Sequence, residues 1–314
     1  MSSTTPTVIG ELMNNSYGRA RRAWKARDLE GYQNLAKLQT ELGASYLTLN
    51  TDGTQKLSVT LSEMLEFLPK VVPAIQEVTG ASISFDNPDV AFHKEALKHF
   101  DPSKSDRAPI LNSISVSRTN IDDMIDLVGQ YDMNVLILAS ECLKDGKLGP
   151  ATCVEDILET TKYFTGLLKD RAGVENHRII VDPGLAPLAS DTQGHINLGL
   201  DAMRAIRNEG ALEGIHISVG LSNFSIGMPG HLRIPMERAY LRLALDAGLD
   251  FALANPEKNT QASDRDEALV KSLEGILAEG RQRAGESAED AGFGHARGKI
   301  AREEGGFVGG VDLT

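Results

Sequence analysis

A single (β/α)8 TIM barrel of the α/β class is the fold expected of these 314 residues. Three observations carry that expectation: eight short runs rich in β-branched and apolar residues, a longer stretch of helical periodicity after each, and a polar residue closing nearly every run. Strands that alternate with helices form a parallel sheet with the helices packed outside, and eight such pairs close most simply into a barrel. A doubly wound open sheet is the competing arrangement. It calls for a phosphate-binding GxGxxG after an early strand, and the sequence has none there.

The first strand, 7–11, begins with the β-branched Thr7, Val8 and Ile9 and ends on Glu11. Helix 29–42 leads to strand 44–50, which ends on Asn50; helix 61–79 leads to 81–86, which ends on Asp86; helix 88–99 leads to 109–115, which holds Asn112. Helix 121–131 precedes strand 134–140, where Ser140 is followed by Glu141, and helix 154–172 precedes 178–182, which ends on Asp182. Helix 196–208 leads to 216–223, closing on Asn223, helix 234–247 leads to 250–255, closing on Asn255, and helix 266–279 completes the set. Ser62 and Asn120 stand at helix starts, the latter followed by Asp122 and Asp123 in the first turn.

Residues 1–280 are thus expected to form one barrel domain without an interdomain linker. Residues 281–314 differ in being rich in Gly, Ala, Glu and Arg, and are expected to lie outside the barrel as a C-terminal extension, since such a composition buries little apolar area against its entropy cost.

A hydrophobic fraction of 41% and a charged fraction of 24% supply an ordinary globular core. The net charge of -12 argues against a nucleic-acid partner, because phosphate binding needs a basic field. The basic run Arg19, Arg21, Arg22, Lys25 and Arg27 reads as a solvated helix face. Met1 to Thr7 are polar, and no apolar run approaches the ~18 residues of a membrane span. The expectation is a cytoplasmic protein with no membrane partner. Cys142 and Cys153 have neither a CxxC nor a His-x-Cys partner, so free thiols and no bound metal are expected. His195, His216 and His231 are isolated and read as solvated or core residues, while Tyr46, Tyr240 and Phe251 are expected to pack between barrel and helices.

In a barrel of this kind the C-terminal ends of all strands converge on one mouth. Glu11, Asn50, Asp86, Asn112, Ser140 with Glu141, Asp182, Asn223 and Asn255 should therefore face a common pocket. Carboxylates only accept hydrogen bonds and carboxamides do both, so the set suits a flat heterocycle with adjacent NH donors and a carbonyl, such as a pterin. It does not suit a phosphorylated substrate, which would want Lys, Arg or helix N-termini. Taken singly, an Asp or Asn after a strand is more often a helix cap or turn residue, as Asp86 with Pro88 and Asp182 with Pro183 illustrate. Capping alone does not account for five or six strands ending this way.

The segments Ile9-Gly10-Glu11 with Asn14, Leu47-Thr48-Leu49-Asn50, Ser84-Phe85-Asp86, Leu111-Asn112-Ser113, Val181-Asp182-Pro183 and Gly220-Leu221-Ser222-Asn223-Phe224-Ser225 carry a resemblance. In order, they resemble the pterin-binding methyltransferases, in particular methyltetrahydrofolate:corrinoid protein methyltransferases and the folate domain of cobalamin-dependent methionine synthase. The resemblance covers roughly Val8 to Asn255 and implies a barrel like that of dihydropteroate synthase. It also implies that Asp86, Asn112 and Asp182 hold the pterin, that Asn223 lies beside N5 as the catalytic group, and that Asn50, Glu11 and Arg238 are further binding positions. Glu141, Ser222 and Asn255 are additional candidates. The implied substrate is tetrahydrofolate or its N5-methyl form, the implied cofactor a corrinoid carried on a partner protein, since no DxHxxG motif is present, and the implied assembly a homodimer. Direction is left open.

Departures from the family are Thr48 where Asp is usual, Leu12 where Arg often follows Glu11, and Glu141 where Asn is common. Dihydropteroate synthase is the nearest alternative, but its Gly-x-Ser-Arg-Lys segment is replaced here by Gly220-Leu221-Ser222-Asn223-Phe224, which lacks the cations. A non-catalytic pterin-binding protein is the alternative from another class.

Overall fold

A computed structural model describes residues 5–281. Its barrel strands are β1 (Thr7–Gly10), β2 (Tyr46–Leu49), β3 (Ser82–Asp86), β4 (Ile110–Ile114), β5 (Asn134–Leu138), β8 (Ile179–Asp182), β9 (His216–Ile217) and β10 (Phe251–Ala254), with the hairpin β6 (Glu141–Lys144) and β7 (Lys147–Pro150) inserted after β5. The eight barrel strands form one parallel sheet in the order β10-β1-β2-β3-β4-β5-β8-β9. Closure between the last and first members is made by the Leu253 N–H donating to the Val219 carbonyl at 3.0 Å and by a parallel bridge between Gly220 and Leu253.

Strand side chains alternate between two faces, and the packing separates accordingly. Ile9, Tyr46, Ile110, Leu136, Ile180 and Phe251 form their own buried cluster, joined by Leu138 and Leu253: the barrel interior. Their neighbours in sequence, including Val8, Leu47, Leu111, Val135, Val181 and Ala252, belong to a larger cluster shared with the helices. Tyr46 and Phe251 therefore sit inside the barrel, contrary to the expectation that they pack between barrel and helices. Only Tyr240 does the latter, buried in α8 (Gly230–Asp246) against Phe224.

Helices α1 (Gly18–Ala26) and α2 (Leu29–Glu41) both lie between β1 and β2. The basic run falls on α1 and its C-cap, with Arg19, Arg22 and Lys25 exposed on the helix, Arg27 exposed at the cap, and Ala20, Ala23 and Trp24 buried, as an amphipathic helix requires. Helix α3 (Leu61–Gln76) begins at the expected Leu61, with Ser62 inside its first turn rather than at its cap. Thr60 caps it, accepting from the Glu63 N–H at 3.3 Å while Glu63 accepts from the Thr60 N–H at 2.8 Å. Next come α4 (Val90–Lys98), α5 (Ile121–Gln130), α6 (Val154–Ala172), α7 (His195–Asn208) and, after α8, α9 (Ala268–Glu279). Asn120 precedes α5 but its side chain makes no capping bond.

Two strands depart from expectation. The fifth stops at Leu138, because Ala139 and Ser140 lead into the hairpin. The seventh keeps only His216–Ile217 as regular strand, and a 3-10 turn over Leu221–Ser225 carries Asn223. The extension from residue 282 lies outside the described residues. Among those described, no helix is long and apolar enough to cross a membrane.

Candidate active site

Continuing the interior alternation past each strand end puts Glu11 two residues beyond Ile9, Asn50 beyond Tyr46 and Thr48, Asp86 beyond Ser84, Asn112 beyond Ile110, Asp182 beyond Ile180 and Asn255 beyond Leu253. All six columns rise toward the mouth. On one side of it, Asp86 and Asn112 are direct partners across β3 and β4, and the Asn112 carboxamide donates to the Ser84 hydroxyl at 3.4 Å. Burial pushes the Asp86 carboxyl up to about 6; a hydrogen bond from Asn50 opposes the shift, the charge of Asp52 adds to it, and Arg118 opposes it. Asp52 itself accepts from the Asn87 carboxamide at 2.5 Å.

Across the mouth, Asp182 and Asn223 line one cavity of about 360 Å³ with Leu138, Ser140, His195 and the hairpin-side residues Pro150 and Ala151. Asp182 spends one oxygen on the Gly184 N–H, at 2.7 Å, and burial again raises its carboxyl to about 6. Gly184 is needed there: its φ is +91°, and a Cβ at this position would lie 2.6 Å from the Ser140 Cβ. The Tyr240 hydroxyl is buried without a hydrogen-bond partner among the described residues, and burial together with the charge of Asp182 raises it.

Asn223 is exposed on its turn, and Gly220 leaves room for it, since a Cβ there would stand 3.0 Å from the Asn223 Nδ2. Glu11 is buried and accepts from the Tyr17 hydroxyl and from the Ser222 hydroxyl, the latter at 2.5 Å. Burial raises Glu11 to about 7, both hydroxyls oppose the shift, and the nearby Glu237 adds to it.

Of the remaining candidates, Arg238 and Asn255 are engaged elsewhere. Arg238 donates to the Gln261 carbonyl at 2.8 Å and so ties α8 to the loop after β10. The Asn255 side chain accepts from the Glu257 N–H at 3.0 Å, which is turn chemistry. Asn50 likewise accepts from the Asp52 N–H at 3.1 Å while its contact with Asp86 keeps it beside the mouth. Glu141 opens the hairpin, and its Oε2 is buried without a partner among the described residues. No group of three or more His, Cys, Asp or Glu among the described residues is placed to hold a metal ion.

Sequence reasoning missed His195, Tyr17 and the hairpin wall. For the hairpin a signal was present: Asp145-Gly146 is the residue pair of a two-residue hairpin loop, and both residues have positive φ, at 52° and 73°. For His195 and Tyr17 there was none, since neither lies at a strand end.

Of the four residues expected to share one pocket, Asp182 and Asn223 line this cavity, while Asp86 and Asn112 pair on β3 and β4 outside its lining; carboxyl and carboxamide groups of this kind can accept from NH donors. A model of the family described as pterin binding enzyme matches residues 11–255. The chain belongs to the pterin-binding enzyme family. This pterin-binding enzyme is 26% identical to a methylcorrinoid:tetrahydrofolate methyltransferase from Eubacterium limosum over 79% of its own length and 84% of the relative's. It is 23% identical to a methionine synthase from Mycobacterium leprae (strain TN) over 80% of its own length, but spans only 20% of that much longer protein. In fold it is similar to the 7,8-dihydropteroate synthase of Vibrio fischeri ES114, with a TM-score of 0.58 at 15% identity over 88% of this chain and 94% of the other.

Proposed function

We propose that this pterin-binding enzyme moves a methyl group between N5 of methyltetrahydrofolate and the cobalt of a corrinoid carried on a separate protein. The observation that carries the reading is the wall shared by Asp182 and Asn223: an exposed carboxamide faces the same cavity as a pterin-type acceptor, and no Lys or Arg is among the described residues that line it. A diphosphate leaving group, as in dihydropteroate synthase chemistry, would need cations there. The relative from Eubacterium limosum, whose name joins a methylcorrinoid to tetrahydrofolate, supports the same choice.

Asp86 and Asp182 accept from the NH donors of the ring edge, and Asn112 supplies both a donor and an acceptor. Fixing the ring orients N5. A tertiary amine is a poor leaving group: N5 keeps the electron pair of its bond to the methyl carbon and takes up a proton from solvent to become N5–H, and a hydrogen bond to N5 steadies the charge that builds there as the bond breaks. The Asn223 carboxamide donates that hydrogen bond, which strengthens as negative charge develops on N5 and so favours the transition state over the bound substrate. The corrinoid, when its protein docks, supplies the cobalt that takes or gives the methyl. The same contacts serve both directions.

The test is Asn223→Ala in single-turnover methyl transfer to a purified corrinoid protein. Affinity for methyltetrahydrofolate should stay within about threefold while transfer slows about 100-fold, the scale of removing one oriented donor. Transfer at the wild-type rate would overturn the role of Asn223, and failure of the wild-type chain to bind methyltetrahydrofolate would overturn the whole reading.

A further inference from the structure

We propose that Glu11 and Glu237 are positioning residues that hold the Asn223 turn by gripping the serine hydroxyl on either side of it, a role that rests on reading Asn223 as the donor to N5. The turn Leu221–Ser225 is held internally by two backbone bonds and one long contact, from the Ser225 hydroxyl to the Ser222 carbonyl at 3.5 Å. The Asn223 N–H donates to the Gly220 carbonyl at 3.0 Å and the Ile226 N–H to the Asn223 carbonyl at 3.2 Å. Bonds of that kind set the curvature of a short turn and leave it free to pivot as a unit.

The pivot is stopped from two sides. One residue before Asn223, Ser222 donates to Glu11 at 2.5 Å, and two residues after it, Ser225 donates to Glu237. Glu11 follows β1 and Glu237 lies on α8, so the anchors belong to different parts of the scaffold. Both are buried, at 6% and 3% exposed. Each anchor is itself held: Glu11 by the Tyr17 hydroxyl, and Glu237 by the Asn259 carboxamide at 2.6 Å, whose oxygen accepts the Asn255 N–H at 2.8 Å. Between the serines, Phe224 stacks on Tyr240 with ring centroids 4.5 Å apart.

Burying a carboxylate is costly unless it is hydrogen-bonded, and two of them are committed to one five-residue turn. What a carboxylate offers over a neutral acceptor is a shorter and stronger bond. That property matters where a carboxamide must be held within about half an ångström of its working position. Glu11 touches neither ring edge nor N5 in this scheme; it acts through Ser222.

The test compares the full-length wild-type chain with Glu11→Ala, Glu11→Gln, Ser222→Ala and Glu237→Ala by two readouts. Amide hydrogen exchange reports the turn without any substrate, and single-turnover methyl transfer reports the chemistry. In Glu11→Ala, Ser222→Ala and Glu237→Ala, exchange over 221–225 should rise about tenfold or more with the barrel strands unchanged. Transfer should fall about 10- to 100-fold with the dissociation constant of methyltetrahydrofolate within about threefold. Glu11→Gln keeps a neutral acceptor for Ser222 and should recover part of both losses, falling between Glu11→Ala and wild type. Turn exchange at the wild-type level in Glu11→Ala and Ser222→Ala overturns the proposal, as does an equal loss of affinity and rate. Should Glu11→Ala fail to fold, Ser222→Ala, which removes a single hydroxyl, decides. If the wild-type chain transfers no methyl, the functional reading fails, while the exchange measurement still decides whether the glutamates hold the turn.

Discussion

Asp182 meets two opposed demands. Its carboxyl is pushed up to about 6 because burial disfavours the charge, yet the proposed pterin contact needs the charged form as acceptor. Because the folded-state pKa is raised, the unligated protein keeps the associated stability below the ordinary Asp range and loses it as pH rises through about 6. Asp182→Asn lacks that loss. Urea denaturation should therefore show the variant gaining on wild type between about pH 4 and pH 8, by on the order of 2–3 kcal/mol. Binding runs the other way: affinity for methyltetrahydrofolate should be flat above about pH 7 and weaken below about pH 6 as Asp182 and Asp86 take up protons. Titration calorimetry across that range checks it, and a constant affinity would remove both carboxylates from the contact. At this scale the sequence showed which residue types crown the strands. It could not show that Asn255 and Arg238 spend their polar atoms on Glu257 and Gln261, because those partners are set by how a loop folds back.

Among the elements, the loop after β8 and the turn after β9 do most to shape the mouth. Gly184 makes the first possible by combining a positive φ with a close approach to Ser140. Gly184→Ala should destabilise the protein by about 2 kcal/mol or more, through backbone strain and that contact, and should weaken pterin binding by displacing Asp182. Chemical denaturation and a binding isotherm measure the two; an unperturbed affinity would detach Gly184 from the site. The helices were legible from their 3.6-residue rhythm, and α6 (Val154–Ala172) matches the expected span. Strand seven, expected over 216–223, was overextended because Val219 and Leu221 look like strand residues. Leu221 is instead buried from a 3-10 turn, since apolar content alone does not distinguish the two conformations.

For the molecule as a whole, the candidate site lies at one end of the barrel and the strand interior is filled below it. Phe251 lies in that interior, its ring centroid 6.1 Å from Tyr46 and 4.6 Å from His216. It also lies on β10, the strand that pairs with β1 and reaches Val219 to close the sheet. Phe251→Ala should cost about 3–5 kcal/mol and lower the urea midpoint of one cooperative transition. Circular dichroism and tryptophan fluorescence from Trp24 should move together. A loss confined to one probe would mean that the barrel does not unfold as a unit.

The eightfold rhythm and the polar residues crowning the strands were determined by the sequence alone, because side-chain alternation is a property of the extended backbone itself; which face turns inward was not, as Tyr46 and Phe251 in the barrel interior show. Which of those crowning residues keep an acceptor free for a ligand was decided only by tertiary structure. Hydrogen-bond partners such as Ser222 and Glu11, 211 residues apart, meet only once β1 and the turn after β9 converge at the mouth, and no local pattern encodes that meeting.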